Sequence, residues 1–162
     1  MTQEEKELLL KDLCARLPYE VKGRVYAEIT KGEYDVISGD MIFFDSPFDV
    51  TLDDINTSTE EIHVIAIGNE DTVDFIEDQQ IDGKPYTIDE FKPYLRPLSS
   101  MTEEERKEYE LLANHCIVTS IGFIHLEAAP LVDWLNKNKF DYHGLIPKGL
   151  ALEAAEGIYE NK

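Results

Sequence analysis

The chain has 162 residues and carries 34 acidic side chains against 15 basic ones, so its formal net charge is −19. A chain of this length suits one domain, and its 43% hydrophobic and 10% aromatic content is enough for a packed core. This composition argues against a disordered acidic tail, and no apolar run approaches the ~20 residues that span a bilayer. We expect one domain over residues 1–162 that makes no membrane contact.

The negative charge is concentrated in the middle of the chain. Residues 32–91, called here the acidic segment, hold seventeen acids and one base. Residues 1–31 hold six of each, and residues 92–162 hold eleven acids and eight bases. Such a segment repels phosphate backbones and anionic lipid and favours cationic partners. We therefore predict no direct binding of nucleic acid.

Two features concern the cellular compartment. The first ten residues, MTQEEKELLL, are acidic and lack the basic region and small-residue cleavage site of a signal peptide. Cys14 and Cys116 are too few for a disulfide framework, and we expect both to be reduced and buried as small hydrophobic residues. These features predict a cytoplasmic protein.

The first predicted element is an amphipathic helix. Thr2 followed by Glu5 is typical of a capping box at a helix start. Pro18 ends the pattern, because proline cannot continue a helix. The apolar residues that recur at helical spacing are Leu10, Leu13, Cys14 and Leu17.

From Val21 the hydrophobic period changes to two, which predicts a half-buried strand as far as Thr30, with Gly23 and Val25 on the face of Val21. Ile62 to Ile67 is β-branched and apolar enough for a central strand. Turns rather than helices separate the strands of this region, which indicates an antiparallel sheet or a small open barrel. The other predicted strands are Glu33 to Ser38, Met41 to Phe44, Phe48 to Leu52, Thr72 to Ile76 and Pro85 to Ile88.

Beyond the acidic segment, Lys92 to Pro97 contains two prolines, which predict an edge strand or a crossover. Thr102 and Glu105 form a second capping-box pattern at the start of a helix. Its predicted buried stripe is Tyr109, Leu112, Ala113 and Cys116.

The pattern then predicts a strand over Ile117 to Ile124 and a helix from about Pro130 to Lys137. After Phe140 it predicts an irregular segment, or one or two short turns of helix broken by Gly144, Pro147 and Gly149. Together these elements predict an α+β class: an N-terminal helix, an antiparallel β-sheet or small open barrel, and C-terminal helices.

Three stretches of the chain resemble sequence motifs that recur together in a known group of proteins. They are LLLKDLCARLPYEVK (Leu8 to Lys22), FKPYLRPLSSMTEEER (Phe91 to Arg106) and FDYHGLIPKGLALEAAEGIY (Phe140 to Tyr159). As a set they resemble a family of small uncharacterised proteins encoded by gut anaerobes and by their phages or prophages. The resemblance implies a phage or mobile-DNA setting but no activity and no functional residues. The family tends to have Pro where this chain has Ala155.

The acidic segment has three interpretations. Its carboxylates suit the solvated outer face of a sheet, and they also suit an inhibitor that imitates nucleic acid and occupies the groove of a host DNA-binding protein. A metal site is the third, but the carboxylates concerned lack the alternating spacing of a calcium loop, so we expect no dedicated metal and no cofactor. Those carboxylates are Asp71, Asp74, Glu77, Asp78 and Asp82.

A small hydrolase that uses the histidines or carboxylates is a further alternative, and a Cys116–histidine pair is a candidate nucleophile. The chain has no G-x-S-x-G elbow and no glycine-rich phosphate loop, so we assign no catalytic residue. Structural roles are the better interpretation of its four histidines, which are His63, His115, His125 and His143.

The preferred candidates for a binding site are aromatic and cationic residues in residues 92–162, where acidic and basic side chains are nearly equal in number. Such aromatic and arginine side chains commonly anchor protein contacts. The alternative places Tyr94 or Leu95 in the core and pairs Lys92 and Arg96 with the acidic sheet. We predict a non-enzymatic, phage- or prophage-associated accessory protein that binds another protein. Its predicted binding residues are Tyr94, Arg96, Trp134, Tyr142 and His143.

Overall fold

The computed structural model describes residues 1–26, 32–34, 41–43, 47–66, 86–119 and 128–159. Helices and strands are both present there: one α-helix precedes the strands, two follow β7, and the strands form a mostly antiparallel sheet, so the predicted α+β class is confirmed. The helices are α1 (Gln3–Arg16), α2 (Glu103–Thr119) and α3 (Ala128–Lys137). The strands are β1 (Lys22–Val25), β2 (Gly32–Tyr34), β3 (Met41–Phe43), β4 (Phe48–Asn56), β5 (Glu61–Ala66), β6 (Tyr86–Thr87), β7 (Phe91–Leu95) and β8 (Leu152–Glu153).

Six strands form one open sheet in the order β6-β5-β4-β1-β7-β8. Neighbouring strands are antiparallel except for β7 and β8, which are parallel. Strands β2 and β3 form a separate antiparallel pair. The sheet is open and not a barrel, and the strand predicted to be central, β5, lies next to its edge.

Helix α1 begins with the predicted capping box. The backbone N–H of Glu5 donates to Thr2 Oγ1 at 3.2 Å, and the N–H of Thr2 donates to Glu5 Oε2 at 2.7 Å. The predicted apolar stripe is partly wrong, because Cys14 is exposed and Leu9 is fully buried. The buried face of α1 is Leu9, Asp12, Leu13 and Arg16.

The hydrophobic core lies between α1 and one face of the sheet. Strand β1 follows the predicted alternation, since Val21, Gly23 and Val25 are buried while Lys22 and Arg24 are half-buried. A Cβ on Gly23 would lie 2.4 Å from the Phe91 ring, so only glycine fits there. The buried cluster is Leu9, Leu13, Val21, Val25, Val50, Leu52, Ile62, Val64, Tyr86, Ile88, Phe91, Leu95, Leu145, Leu150 and Ala151.

Strand β7 is an interior strand, so the predicted edge or crossover position of Lys92 to Pro97 is wrong. The Tyr26 N–H donates to the Glu90 carbonyl at 2.7 Å, and Gly23 is opposite Pro93. In an antiparallel sheet, residue pairs that exchange backbone hydrogen bonds alternate with pairs that do not. Tyr26 and Glu90 form a hydrogen-bonded pair, so Gly23 and Pro93 form a non-bonded pair, and the missing N–H of Pro93 faces away from β1. The strand tolerates proline for this reason.

The elements after β7 follow the prediction with one exception. Helix α2 extends through Thr119, so Ile117 to Thr119 are helical and not part of a strand, while residues 120–124 lie outside the described residues. Helix α3 begins at Ala128, two residues before Pro130. The segment after Phe140 is irregular as predicted, apart from β8.

Within the acidic segment, the predicted strands near β2, β3, β5 and β6 are present. Strand β4 continues past its predicted end at Leu52 to Asn56, with a register shift between Leu52 and Asp54. The predicted strand Thr72 to Ile76 and the candidate metal ligands between Asp71 and Asp82 lie outside the described residues. None of the helices in the described ranges is long and apolar enough to cross a membrane.

Candidate binding cleft

A cleft of about 640 Å³ opens where the parallel strands β7 and β8 end. The Ala154 N–H still donates to the Leu95 carbonyl at 2.8 Å, which is the last bond of this ladder. Pro97 has no N–H to continue the ladder, so the two chain segments separate. The cleft between them is lined by Arg96, Pro97, Ser100, Thr102, Glu105, Glu153, Ala154, Ala155, Glu156, Gly157, Ile158 and Tyr159.

An ion pair fixes the first wall. The Arg96 guanidinium donates to both carboxylate oxygens of Glu105, at 2.7 and 2.9 Å, and lies 4.4 Å from the centre of the Phe140 ring. Glu105 also accepts the Thr102 N–H at 2.8 Å, which completes the predicted capping box of α2. The hydrogen bonds from Arg96 lower the pKa of the Glu105 carboxyl.

Tyr159 fixes the second wall. Its hydroxyl donates to the Tyr94 carbonyl at 2.7 Å and accepts the Lys22 N–H at 3.3 Å. The Tyr159 hydroxyl therefore bridges the backbones of Lys22 and Tyr94 where β1 and β7 separate, in place of a direct backbone hydrogen bond between the two strands. Burial raises the pKa of the Tyr159 hydroxyl, so it remains a neutral donor at physiological pH.

The cleft is rich in hydrogen-bond acceptors. Its side chains include three carboxylates, Glu105, Glu153 and Glu156, against the single guanidinium of Arg96, which Glu105 already engages. Glu153 and Glu156 are exposed on the opposite wall. Of the described residues that line the cleft, none is a histidine or a cysteine. The arrangement can receive hydrogen-bond donors and positive charge.

Of the five predicted binding residues, only Arg96 lines the cleft. Tyr94 is 6% exposed, and its hydroxyl donates to Asp49 Oδ1 at 2.7 Å. Arg24 pairs with the same carboxylate at 2.7 Å and lowers its pKa. Tyr94 and Leu95 thus pack inside, while Arg96 pairs with Glu105 of α2 and with none of the described carboxylates of the acidic segment.

Trp134 lies behind the cleft. Its ring stacks on Phe140 with 5.4 Å between the ring centres and an interplanar angle of 21°. The Arg96 guanidinium also contacts Phe140, so Phe140 connects Trp134 to the first wall. Tyr109 of α2 lies against Trp134 at 6.4 Å. Trp134 is half-buried and acts through this packing.

Tyr142 and His143 belong to a second cluster, called here the Asp12 network, which also contains Asp12 and Arg16. The guanidinium of Arg16 donates to Asp12 through Nε at 2.6 Å and through Nη2 at 3.0 Å. His143 Nδ1 lies 2.8 Å from Asp12 Oδ1, and the Tyr142 ring lies 5.1 Å from the guanidinium carbon. The network joins α1 to the irregular C-terminal segment.

The other histidines do not join this network in the part of the chain that the structure describes. His63 is exposed on β5, and the side chains of His115, His125 and Cys116 lie outside the described residues. Within the described ranges, no group of three or more His, Cys, Asp or Glu side chains could hold a metal ion.

Some carboxylates of the acidic segment form ion pairs with basic side chains in the N-terminal region, residues 1–31. Lys6 of α1 contacts Asp89, and its ammonium lies 3.7 Å from Glu60. The hydrogen bond that Lys6 donates to the Asp89 carboxylate raises the pKa of Lys6. Asp49 pairs with Arg24 in the same way. These described carboxylates are partly neutralised within the chain itself.

The sequence predicted no binding residue in the wall formed by Glu153 to Tyr159, because the resemblance that covers Phe140 to Tyr159 implies no functional residue. The signals present were Pro97, which ends a strand, and the Gly157 turn. A comparison with protein-family models finds no match to this chain. Curated proteins and solved structures yield no match either.

Proposed function

We propose that this chain is a non-enzymatic accessory protein that binds another protein, and that the partner occupies the cleft at the ends of β7 and β8. The observation that carries the proposal is a cleft of about 640 Å³ whose two walls are each fixed by side-chain hydrogen bonds to a different part of the fold. Walls that are already ordered lose little conformational entropy when a partner binds.

The chemistry of the cleft favours a protein over a nucleic acid. Glu153 and Glu156 are exposed at the rim and would repel a phosphate backbone. Pro97, Ala155 and Ile158 supply apolar surface beside these charges. A polar rim around apolar contacts is typical of protein interfaces.

The cellular setting of the proposal comes from the sequence. The resemblance to proteins of gut anaerobes and their phages supports a phage- or prophage-associated role. The acidic segment supports a partner with positive charge, because residues 32–91 carry a formal charge of −16 from seventeen acids and one base.

Site-specific cross-linking tests the proposal. A photoreactive benzoylphenylalanine at position 155, in the cleft, should cross-link a host protein. The same residue at position 114, exposed on α2 and outside the cleft lining, should not. The partner identified in this way should bind Ala155→Trp, which fills the cleft, at least about tenfold more weakly than the unmodified chain.

The matched control is Asn114→Trp, which adds the same ring at an exposed position of α2. It should bind the partner as the unmodified chain does. Equal cross-linking at positions 114 and 155, or equal affinities of the two tryptophan variants, would contradict a partner site in the cleft. Circular dichroism of both variants establishes that each is folded.

A further inference from the structure

We infer that the partner places a cationic side chain, arginine or lysine, of an extended segment in the cleft between the ends of β7 and β8. This inference rests on the proposed function and specifies the chemistry of the occupant. Three independent features of the cleft support it: its charge, an unused backbone acceptor and its shape.

The charge of the cleft is the first feature. Arg96 is its only cationic side chain among the described lining residues, and both of its terminal nitrogens are bonded to Glu105. The carboxylates of Glu153 and Glu156 lie on the opposite wall without a described cationic partner. A cation entering the cleft would therefore meet carboxylates that are still available to it.

The backbone supplies the second feature. In a parallel sheet, a residue donates its N–H to a carbonyl of the neighbouring strand. Its own carbonyl accepts the N–H of the residue two positions further along that strand. The Ala154 N–H bonds to Leu95, so its carbonyl faces position 97, where proline has no donor. Among the described residues, no backbone N–H donates to this carbonyl. It is an acceptor available to an ammonium or guanidinium group.

The shape is the third feature. The cleft lies between two chain segments that diverge from parallel strands, so it continues the direction of β7 and β8. An extended segment fits such a slot with alternate side chains on opposite sides. The stem of an arginine or lysine can pack on Pro97 and Ile158 while its charged end reaches the acceptors.

Charge-neutral variants of the cleft test the inference. Glu153→Gln combined with Glu156→Gln should weaken binding of the cross-linked partner about fivefold, the effect of losing two exposed ion pairs. Glu108→Gln combined with Glu110→Gln removes the same charge from exposed positions of α2 and should leave the affinity unchanged. If both double variants weaken binding equally, the effect comes from the net charge of the chain and not from the cleft, and the inference is overturned.

A peptide probe identifies the recognised group directly. Three acetylated and amidated pentapeptides, Gly-Ser-X-Ser-Gly, carry arginine, lysine or the neutral arginine analogue citrulline at X. Amide resonances of Glu153 to Gly157 should shift with arginine or lysine and not with citrulline. A larger shift with the arginine peptide identifies a guanidinium site, and a larger shift with the lysine peptide identifies an ammonium site. If the citrulline peptide causes shifts as large as those of the charged peptides, the inference is overturned.

The two proposals fail separately. If Ala155→Trp abolishes partner binding while the Glu153 and Glu156 variants do not change it, the cleft binds a protein but the occupant is not cationic. If Ala155→Trp has no effect, the proposed function itself is wrong.

Discussion

Two arginine–carboxylate pairs in this fold each have two hydrogen bonds and lie in different surroundings. In the Asp12 network, the side chains of Arg16 and Asp12 are both 0% exposed. In the cleft, the side chains of Arg96 and Glu105 are 28% and 21% exposed. Both pairs are joined by two N–H···O bonds, so the difference between them is access to water.

That difference assigns the pairs different roles. Breaking a buried pair leaves an uncompensated charge without water, and this is strongly destabilising. A partly exposed pair contributes little to stability, because water can replace either partner. We therefore assign the Asp12 network to holding α1 against the C-terminal segment, and the Arg96–Glu105 pair to shaping a surface that a partner can reach.

The largest expected effect is on the buried pair. Asp12→Asn should lower the free energy of unfolding by about 3–5 kcal/mol, because Arg16 would remain charged and buried. Glu7→Gln on the same helix changes the same charge at an exposed position and should have an effect below about 0.5 kcal/mol. Urea unfolding measures both. Similar values for the two variants would contradict the structural role of the Asp12 network.

An intermediate effect is expected at the second wall of the cleft. Tyr159→Phe removes the hydroxyl that bonds to the backbone of Tyr94 and Lys22, and should lower the free energy of unfolding by about 1–2 kcal/mol. Tyr26→Phe is the control, since Tyr26 is 38% exposed and water can replace its hydroxyl contacts. Equal urea midpoints for the two variants would show that the bridging hydroxyl contributes nothing.

The smallest effect is expected at the partly exposed pair. Glu105→Gln should lower the free energy of unfolding by about 0.5–1 kcal/mol at pH 7, since glutamine can still cap α2. The folded-state pKa of Glu105 is lowered, so its contribution is present above the unfolded pKa of about 4.3 and is lost as pH falls through the lowered value.

Urea titrations from pH 7 to pH 3 check this dependence. The difference between the unmodified chain and Glu105→Gln should shrink towards zero at the acidic end. Glu104→Gln, exposed in the same helical turn, provides the control and should show a smaller difference at pH 7 and little change with pH. A Glu105 difference that grows as pH falls would contradict a charged pair with Arg96.

The sequence predicted the start of α1 better than its buried face. The capping box depends on local chemistry between Thr2 and Glu5, which the sequence displays directly. The buried face depends on Asp12 and Arg16 neutralising each other inside the protein, which hydropathy cannot register. The predicted stripe therefore turned towards Cys14, which is exposed.

The cleft was harder to predict for a related reason. Its walls come from the ends of β7 and β8, which are separated by 57 residues in sequence and meet through the parallel pairing of Tyr94 with Leu152 and of Leu95 with Glu153. Prolines in Lys92 to Pro97 indicated an edge, whereas the register placed Pro93 where its missing N–H is harmless. Arg96, which lines the cleft, was among the predicted binding residues because an arginine beside aromatic residues is itself a local signal.

Amide hydrogen exchange on the complex with the cross-linked partner tests the central claim most directly. The account predicts that the partner slows exchange at Thr102 to Glu105 and at Glu153 to Tyr159, with exchange at Asp12 to Arg16 unchanged. Slowed exchange confined to strands β4 and β5, with both cleft walls unaffected, would contradict it.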